Sequence, residues 1–161
     1  MTPKTYCLVT DRGGHLHNAL KLVEQLGSVP DAIITTLGPD VDALQVKGSV
    51  VFRLPHLFKW FGKLRLLNPW NIFLHLWESG WLVVKLRPRR VVSLGASNVV
   101  FFCYWAWIWG ADIYHVECMN QVKTPSLTGR LLYPITKELF VQWEELLQVY
   151  GSKARYEGWV L

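Results

Sequence analysis

Apolar residues along the chain alternate between short runs and longer segments with helical spacing. The short runs have the length and β-branched content of buried strands, and they lie at 5–9, 32–36, 50–54, 91–94, 113–116 and 139–142. Segments of helical period lie between them, at about 15–26, from Asp40, and at 98–109, 126–136 and 144–150. This alternation is typical of a parallel sheet with helices on both faces. No linker interrupts it, so residues 1–161 are predicted to form one α/β domain.

The segment from about 56 to 84 departs from this alternation and is predicted to be an amphipathic insertion. HLFKWFGKLRLLNPW has the spacing of a helix with one apolar and one basic face. Asn68 and Pro69 then have the pattern of an N-cap and a first-turn proline that begin a second amphipathic helix. Either stripe could belong to the core. The pattern also suits an interfacial anchor, whose rings settle at headgroup depth while basic residues meet lipid phosphates.

We expect the anchor for 57–67 and a mixed role for the second helix. The predicted membrane residues are Leu57, Phe58, Lys59, Trp60, Phe61, Lys63, Leu64, Arg65, Trp70 and Trp77.

Charge and composition favour an anionic partner. The formal net charge is +5, and within 53–90 Glu78 is the only acid among many Lys and Arg residues. A membrane surface or a phosphate-bearing substrate would suit this asymmetry, whereas tryptophans in leucine-rich segments argue against nucleic acid. The longest apolar run, 99–110, is shorter than the ~20 residues that span a bilayer, and no signal peptide is recognised. Peripheral binding to the cytoplasmic face of the inner membrane is therefore expected.

The three cysteines carry no recognisable motif. Cys7, Cys103 and Cys118 are odd in number and form no CxxC or Cys/His pattern. A disulfide framework or a zinc site is therefore not expected, and the compartment is predicted to be reducing.

The stretch TDRGGHLHNAL, residues 10–20, joins the first strand to the first helix. Gly13 and Gly14 would let the backbone approach an anion at the helix N-terminus. His15 would lie in the positive end of the helix dipole, so its pKa should fall and its neutral form could act as a general base. The alternative is a tight turn with His15 as a cap. The stretch lacks the GxGxxG pattern of a dinucleotide site.

Two more strand ends carry small or polar residues. Glu117 follows the strand at 113–116, and SLGASN at 93–98 precedes a helix. The carboxyl ends of parallel strands are where ligands bind in such sheets. Glu117 could equally be a solvated loop acid or a partner of Lys123 or Arg130.

The chain resembles a known family in the run VKTPSLTGRLLYPITKELFVQWEELLQVYG, with VEC before it and GGHL near the N-terminus. It is similar to the PssD-type bacterial polysaccharide proteins and to the membrane-anchoring subunit of the eukaryotic two-part N-acetylglucosamine transferase. The resemblance implies a Rossmann-like domain, the N-terminal acceptor half of a GT-B glycosyltransferase related to MurG. Relatives usually have a small residue before GGH, whereas Asp11 and Arg12 stand here.

The family's pattern implies a role for each matching position. His15 or Glu117 would be the catalytic base of an inverting transfer to a polyprenyl-diphosphate-linked sugar. A PssE-type partner, the UDP-sugar-binding half, would bring the donor; no cofactor or metal is implied. Without the partner, no transferase activity is expected. The alternative hypothesis is that this chain is a non-catalytic adaptor that recruits a self-sufficient transferase. The implied diphosphate-binding residues are Gly13, Gly14, Gly95, Ala96 and Ser97, and we expect Arg12 and Asn98 to bind with them. The predicted partner contacts are Trp143, Tyr156 and Trp159, although these rings could instead be buried against the chain's own sheet.

Overall fold

The structure, a computed structural model, describes residues 6–42, 44–61 and 64–158. The strands are β1 (Tyr6–Thr10), β2 (Ala32–Thr36), β3 (Val50–Leu54), β4 (Phe58–Phe61), β5 (Leu64–Leu67), β6 (Arg90–Leu94), β7 (Asp112–Val116), β8 (Thr136–Phe140) and β9 (Ala154–Arg155). The α-helices are α1 (Gly14–Leu26), α2 (Pro39–Asp42), α3 (Pro69–Leu86), α4 (Val100–Ile108), α5 (Leu127–Leu132) and α6 (Glu145–Tyr150).

Seven strands form one parallel sheet in the order β3-β2-β1-β6-β7-β8-β9. The predicted parallel α/β sheet is therefore confirmed. The chain runs outward from β1 to β3 and then crosses back to place β6 on the other side of β1. The carboxyl ends of β1 and β6 therefore flank a topological switch point, which is where open α/β sheets form their ligand crevice.

Helices cover both faces of this sheet, as predicted. On one face, Cys7 and Val9 of β1 pack in a cluster with Phe102 of α4 and Leu82 of α3. On the other face, Leu8 of β1 packs with residues of α1. Alternate residues of β1 thus point to opposite helical layers, which fixes the strand's register between them.

Two C-terminal boundaries differ from the sequence prediction. The helix expected over 126–136 ends at Leu132, and Thr136 already begins β8. The strand expected at 139–142 is therefore β8, Thr136–Phe140, in which Lys137 is exposed and Glu138 half-buried. The polar residues of β8 concealed its start in a search for continuous apolar runs.

The helix predicted over 57–67 is wrong. This segment is an antiparallel hairpin in which Phe58 of β4 pairs with Leu67 of β5. FKWF and LRLL satisfy a two-residue alternation as well as a helical period, so spacing in so short a segment does not distinguish them. Leu57, predicted to face a membrane, is only 5% exposed and lies in the core, which corrects its assignment. Lys63 lies outside the described residues.

The second predicted helix is confirmed as α3, with Pro69 in its first turn. The Asn68 side-chain oxygen accepts from the N–H of Trp70 at 3.0 Å and from that of Asn71 at 3.4 Å, as an N-cap does. One face of α3 is buried, whereas Trp70 and Trp77 are exposed. In the described part of the chain, no helix has the length and apolarity to cross a membrane.

Candidate functional site

The loop between β1 and α1 places backbone N–H groups at the switch point. Gly13 has a φ of 72°, in the region that favours glycine, and α1 begins at Gly14. No side chain from the described residues caps this helix, so its first-turn N–H groups can bind an anion. The N–H of Gly13 itself donates to Asp40 Oδ2 at 2.9 Å. Asp40 also lies 3.8 Å from Arg12 Nη1, so an incoming anion would compete with this carboxylate for both groups.

Asp11, which departs from the family's pattern, points into the protein. It is 9% exposed and accepts from the Thr36 hydroxyl, from Asn98 Nδ2 at 2.8 Å and from the N–H of Arg12 at 2.9 Å. Its carboxylate therefore links the ends of β1 and β2 to the turn before α4. Directed inward and bonded in this way, it does not present a negative charge to the loop's outer surface.

Asn98 differs from the prediction that it binds diphosphate. It is 3% exposed, its Nδ2 donates to Asp11, and its Oδ1 accepts from the N–H of Leu57 at 3.3 Å. Because both ends of the amide are bonded inside the protein, Asn98 positions the loop. Ala96 and Ser97, directly before it, are half-buried at the start of a 3-10 turn.

His15 contacts two other strand ends. Gly95, after β6, has a φ of 114°, and a Cβ built on it would lie 2.7 Å from Cγ of His15. Only glycine leaves room for the imidazole here. On another side of the ring, Cys118 Sγ lies 3.9 Å from His15 Nδ1. His15 therefore contacts both the end of β6 and Cys118, a residue of VEC to which the sequence assigned no role.

The pKa of His15 is raised, not lowered as the helix dipole predicted. Its contact with the Cys118 thiol raises it most, burial lowers it, and the negative charges of Asp11 and Glu117 raise it further. The dipole argument considered only the helix and omitted groups on neighbouring strands. A raised pKa still suits a general base, because such groups work best near the operating pH.

Glu117 is not placed to act as a base. It is 1% exposed, and its carboxylate accepts four hydrogen bonds. The N–H of Cys118 donates to Oε1 at 2.8 Å, while the N–H and hydroxyl of Ser126 donate to Oε2 at 3.2 and 3.1 Å. The Tyr150 hydroxyl also donates to Oε2. We therefore correct its catalytic assignment: Glu117 ties the end of β7 to α5 and α6.

The network around Glu117 explains part of the recognised motif. Gly129 lies against it, since a Cβ there would be 2.4 Å from Glu117 Oε2. Ser126 also caps α5 by accepting from the N–H of Gly129 at 2.8 Å. Tyr150 was not identified from the sequence, because it lies 33 residues from Glu117.

The described residues contain no group of three or more His, Cys, Asp or Glu arranged to hold a metal ion. The feature of this edge that suits a ligand is the first turn of α1, whose N–H groups beside His15 can bind an anion.

The predicted partner residues lie at the far edge of the sheet. Trp143 and Tyr156 line a cleft of about 580 Å³ along α6, together with Glu144 and Glu145. The Trp143 indole donates to the backbone oxygen of Met119 at 2.7 Å. Trp159 lies outside the described residues.

An apolar stripe marks the outer surface of α3. Trp70, Phe73, Trp77 and Trp81 follow one another at helical spacing, and Trp77 is 68% exposed. The Lys85 ammonium lies 4.7 Å from the ring centre of Trp81 at one end of this stripe.

Solved structures of other proteins have the same fold. MurG from Acinetobacter baumannii matches with a TM-score of 0.75 over 96% of this chain and 45% of its own, at 18% identity. A UDP-N-acetylglucosamine 2-epimerase from Rickettsia bellii matches with a TM-score of 0.70 over 96% of this chain and 44% of its own, at 11% identity. These likenesses confirm the predicted GT-B-type fold of the domain.

Sequence comparison gives the family. The UDP-N-acetylglucosamine transferase subunit ALG14 of Saccharomyces cerevisiae is 41% identical over 50% of this chain and 27% of its own length. The subunit of the same name from Mus musculus is 30% identical over 58% of this chain and 45% of its own. The chain thus matches less than half the length of these relatives. Residues 61–160 match the family described as "Oligosaccharide biosynthesis protein Alg14 like", and the chain belongs to that family.

Proposed function

We propose that this chain is the acceptor-binding subunit of a two-part, inverting UDP-sugar transferase. The observation that carries the proposal is the position of His15: it lies in the uncapped first turn of α1, at the switch point of the sheet. A phosphate-bearing acceptor and a general base are thereby brought to one place. Membership of a family whose relatives are named transferase subunits supports the same conclusion.

In this mechanism the acceptor is a sugar on a polyprenyl diphosphate. The N–H groups in the first turn of α1 bind its diphosphate, and Arg12 turns from Asp40 toward the added negative charge. That exchange costs little, because both side chains of the 3.8 Å pair are solvent-exposed. His15 removes the proton from the attacking hydroxyl. The oxygen then attacks the anomeric carbon of the donor from the side opposite the departing UDP, which inverts the configuration.

The donor would be held by a separate chain, a PssE-type UDP-sugar-binding half. The contact surface we propose for it is the cleft along α6, with Trp143 and Tyr156 as anchors, because buried aromatic residues dominate such interfaces. A Tyr156→Ala chain should form less of the complex with this partner in size-exclusion chromatography. If complex formation is unchanged, the partner binds elsewhere.

The decisive test compares two histidines of α1 in the reconstituted pair. His15→Gln should lower the transfer rate by ~100-fold or more, the usual contribution of a general base. His17→Gln is the matched control, because His17 is exposed on the same helix. Complex formation should be unchanged in both. An unaffected rate for His15→Gln refutes the catalytic role.

One observation favours a second candidate function, a non-catalytic adaptor. One of the two predicted bases, Glu117, is buried inside the protein. In addition, the Gly13 N–H that was expected to bind phosphate already donates a hydrogen bond to Asp40. An adaptor predicts that the partner alone transfers sugar in detergent at the full rate. The catalytic subunit predicts no transfer without this chain.

We further propose that α3 lies in the headgroup region of an anionic membrane, as a peripheral anchor on the cytoplasmic face. Its exposed tryptophan stripe and the neighbouring Lys85 supply the apolar and cationic contacts that such binding needs. The double variant Trp77→Ser/Trp81→Ser should float less with anionic liposomes. Leu26→Ser, an exposed residue of α1 on the other side of the sheet, is the control and should not change flotation. Equal flotation of all three chains contradicts the anchor.

A further inference from the structure

Cys118, the last residue of VEC, is a polar neighbour of His15 to which neither the motif nor the mechanism above gives a role. Its Sγ lies 3.9 Å from Nδ1 of the imidazole, within reach of a weak sulfur hydrogen bond. The two residues are 103 positions apart in the chain, so the fold alone brings them together. Cys118 is the first residue after Glu117 at the end of β7, and its thiol is only half-buried.

Both sides of this contact are fixed by other groups. The N–H of Cys118 is held at 2.8 Å by Glu117 Oε1, and the Glu117 carboxylate is itself bonded by Ser126 and Tyr150. The ring of His15 also lies against Gly95, where a Cβ would approach its Nδ1 to 2.8 Å. The ring therefore lies close to the backbone at the end of β6, and the thiol is presented to Nδ1 from a strand end that Glu117 holds by a hydrogen bond.

The protonation of Nδ1 decides what the other ring nitrogen can do. If Nδ1 of the neutral ring accepts a hydrogen bond from the thiol, Nε2 carries the ring's hydrogen and cannot act as a base. If Nδ1–H donates to the sulfur, Nε2 is left with a free lone pair. Sulfur accepts such a bond well only as a thiolate, whose negative charge also stabilises the imidazolium that forms when Nε2 takes up a proton.

We propose that Cys118 is the positioning residue of His15: its sulfur accepts a hydrogen bond from Nδ1–H, fixes the ring and leaves Nε2 to take the acceptor's proton. This inference rests on the proposed function for its chemical meaning. No bond to sulfur forms or breaks; the proton passes from the sugar hydroxyl to Nε2, and the sulfur's charge balances the imidazolium. Cys118 thus plays the part that a carboxylate plays in a hydrolase triad.

The charges around the pair agree with this arrangement. The His15 contact lowers the pKa of the Cys118 thiol more than any other neighbour does, against burial and the charge of Glu117, which both raise it. In return the thiol is the largest cause of the raised pKa of His15, with Asp11 and Glu117 adding to it. Cys7 and Cys103 behave in the opposite way, since burial raises the pKa of each to about 12.

The first test is alkylation of the native chain by iodoacetamide between pH 5.5 and 9.5, read by mass spectrometry. Cys118 should be labelled with a midpoint below the ordinary ~8.5, because its thiolate is stabilised. Cys7 and Cys103 are internal controls that should stay unlabelled, since both are fully buried. In His15→Gln the Cys118 midpoint should rise toward ~8.5. An identical midpoint in the two chains overturns the proposal.

A second measurement decides the matter if the reagent cannot reach the thiol. The imidazole of His15 is titrated by NMR in the unmodified chain, in Cys118→Ser and in Cys118→Ala. Its pKa should be highest in the unmodified chain and lowest in Cys118→Ala, with the unfolding midpoint in urea unchanged. If all three chains give the same His15 pKa, the pair does not exist.

The activity test uses the reconstituted pair of subunits. Cys118→Ala should lower kcat by roughly 10-fold and shift the acid limb of the pH profile, with Cys118→Ser retaining part of the rate. The KM for the donor should not change. If His15→Gln leaves transfer unaffected, the proposed base fails, yet alkylation and NMR still decide whether Cys118 and His15 interact.

Discussion

Glu117→Gln tests whether this carboxylate holds the fold together or performs chemistry. A carboxylate offers two acceptor oxygens, and here both are used: Oε1 by the N–H of Cys118, and Oε2 by Ser126 and Tyr150. Glutamine keeps one oxygen and replaces the other with an NH₂ donor. A hydroxyl can rotate to accept from that donor, but a backbone N–H cannot, so each orientation of the amide opposes at least one N–H.

The expected cost follows from that mismatch. A hydrogen bond to a charged group contributes about 1.5–3 kcal/mol, and an unpaired buried donor adds its own desolvation cost. We therefore expect Glu117→Gln to lower the free energy of unfolding by about 2–4 kcal/mol. For a chain of this size that corresponds to a fall in Tm of roughly 5–15 °C.

Urea unfolding followed by tryptophan fluorescence measures this loss, with an unchanged m-value showing that stability alone has changed. Glu24→Gln is the matched control, because Glu24 is exposed on α1, and it should stay within ~0.5 kcal/mol of the unmodified chain. Tyr150→Phe removes one donor from the same carboxylate and should cost less than Glu117→Gln. The reasoning is refuted if Glu117→Gln is as stable as the control while transfer falls ~100-fold, since that pattern belongs to a catalytic acid or base.

Two further predictions concern stability. Burial lowers the pKa of both His75 and His115 to about 4, so each favours folding only while neutral. Their contribution to stability is complete above the unfolded pKa of ~6.5 and is lost as the pH falls toward 4. The free energy of unfolding, measured in urea, should therefore fall by about 4 kcal/mol between pH 7.5 and pH 5. A free energy that does not change with pH would contradict this prediction. Gly95→Ala should cost more stability than Gly110→Ala: both have positive φ, but only the first places a Cβ against His15. Equal unfolding midpoints would show that this contact is absent.

Much of the fold could be predicted because the strands of the central sheet are continuous apolar runs. The predicted bounds of 32–36 and 50–54 are those of β2 and β3, and the predicted N-cap Asn68 is confirmed. Prediction failed where one pattern fits two structures. The segment around β4 and β5 has helical and strand spacing at once, and only pairing between its two halves decides for the hairpin.

The site was predicted less well than the fold, because a sequence gives the position of a carboxylate but not its direction. Asp11 and Glu117 both follow parallel strands, where ligands bind, and both turn inward to bond groups distant in sequence. A buried carboxylate needs several donors, and those donors here come from separate loops that must be held together. Asp11 therefore fixes the end of β1 directly before α1, which carries His15. Glu117 fixes the end of β7, where Cys118 contacts His15. At this edge the imidazole of His15 is partly exposed and can take up a proton near neutral pH, as a general base must.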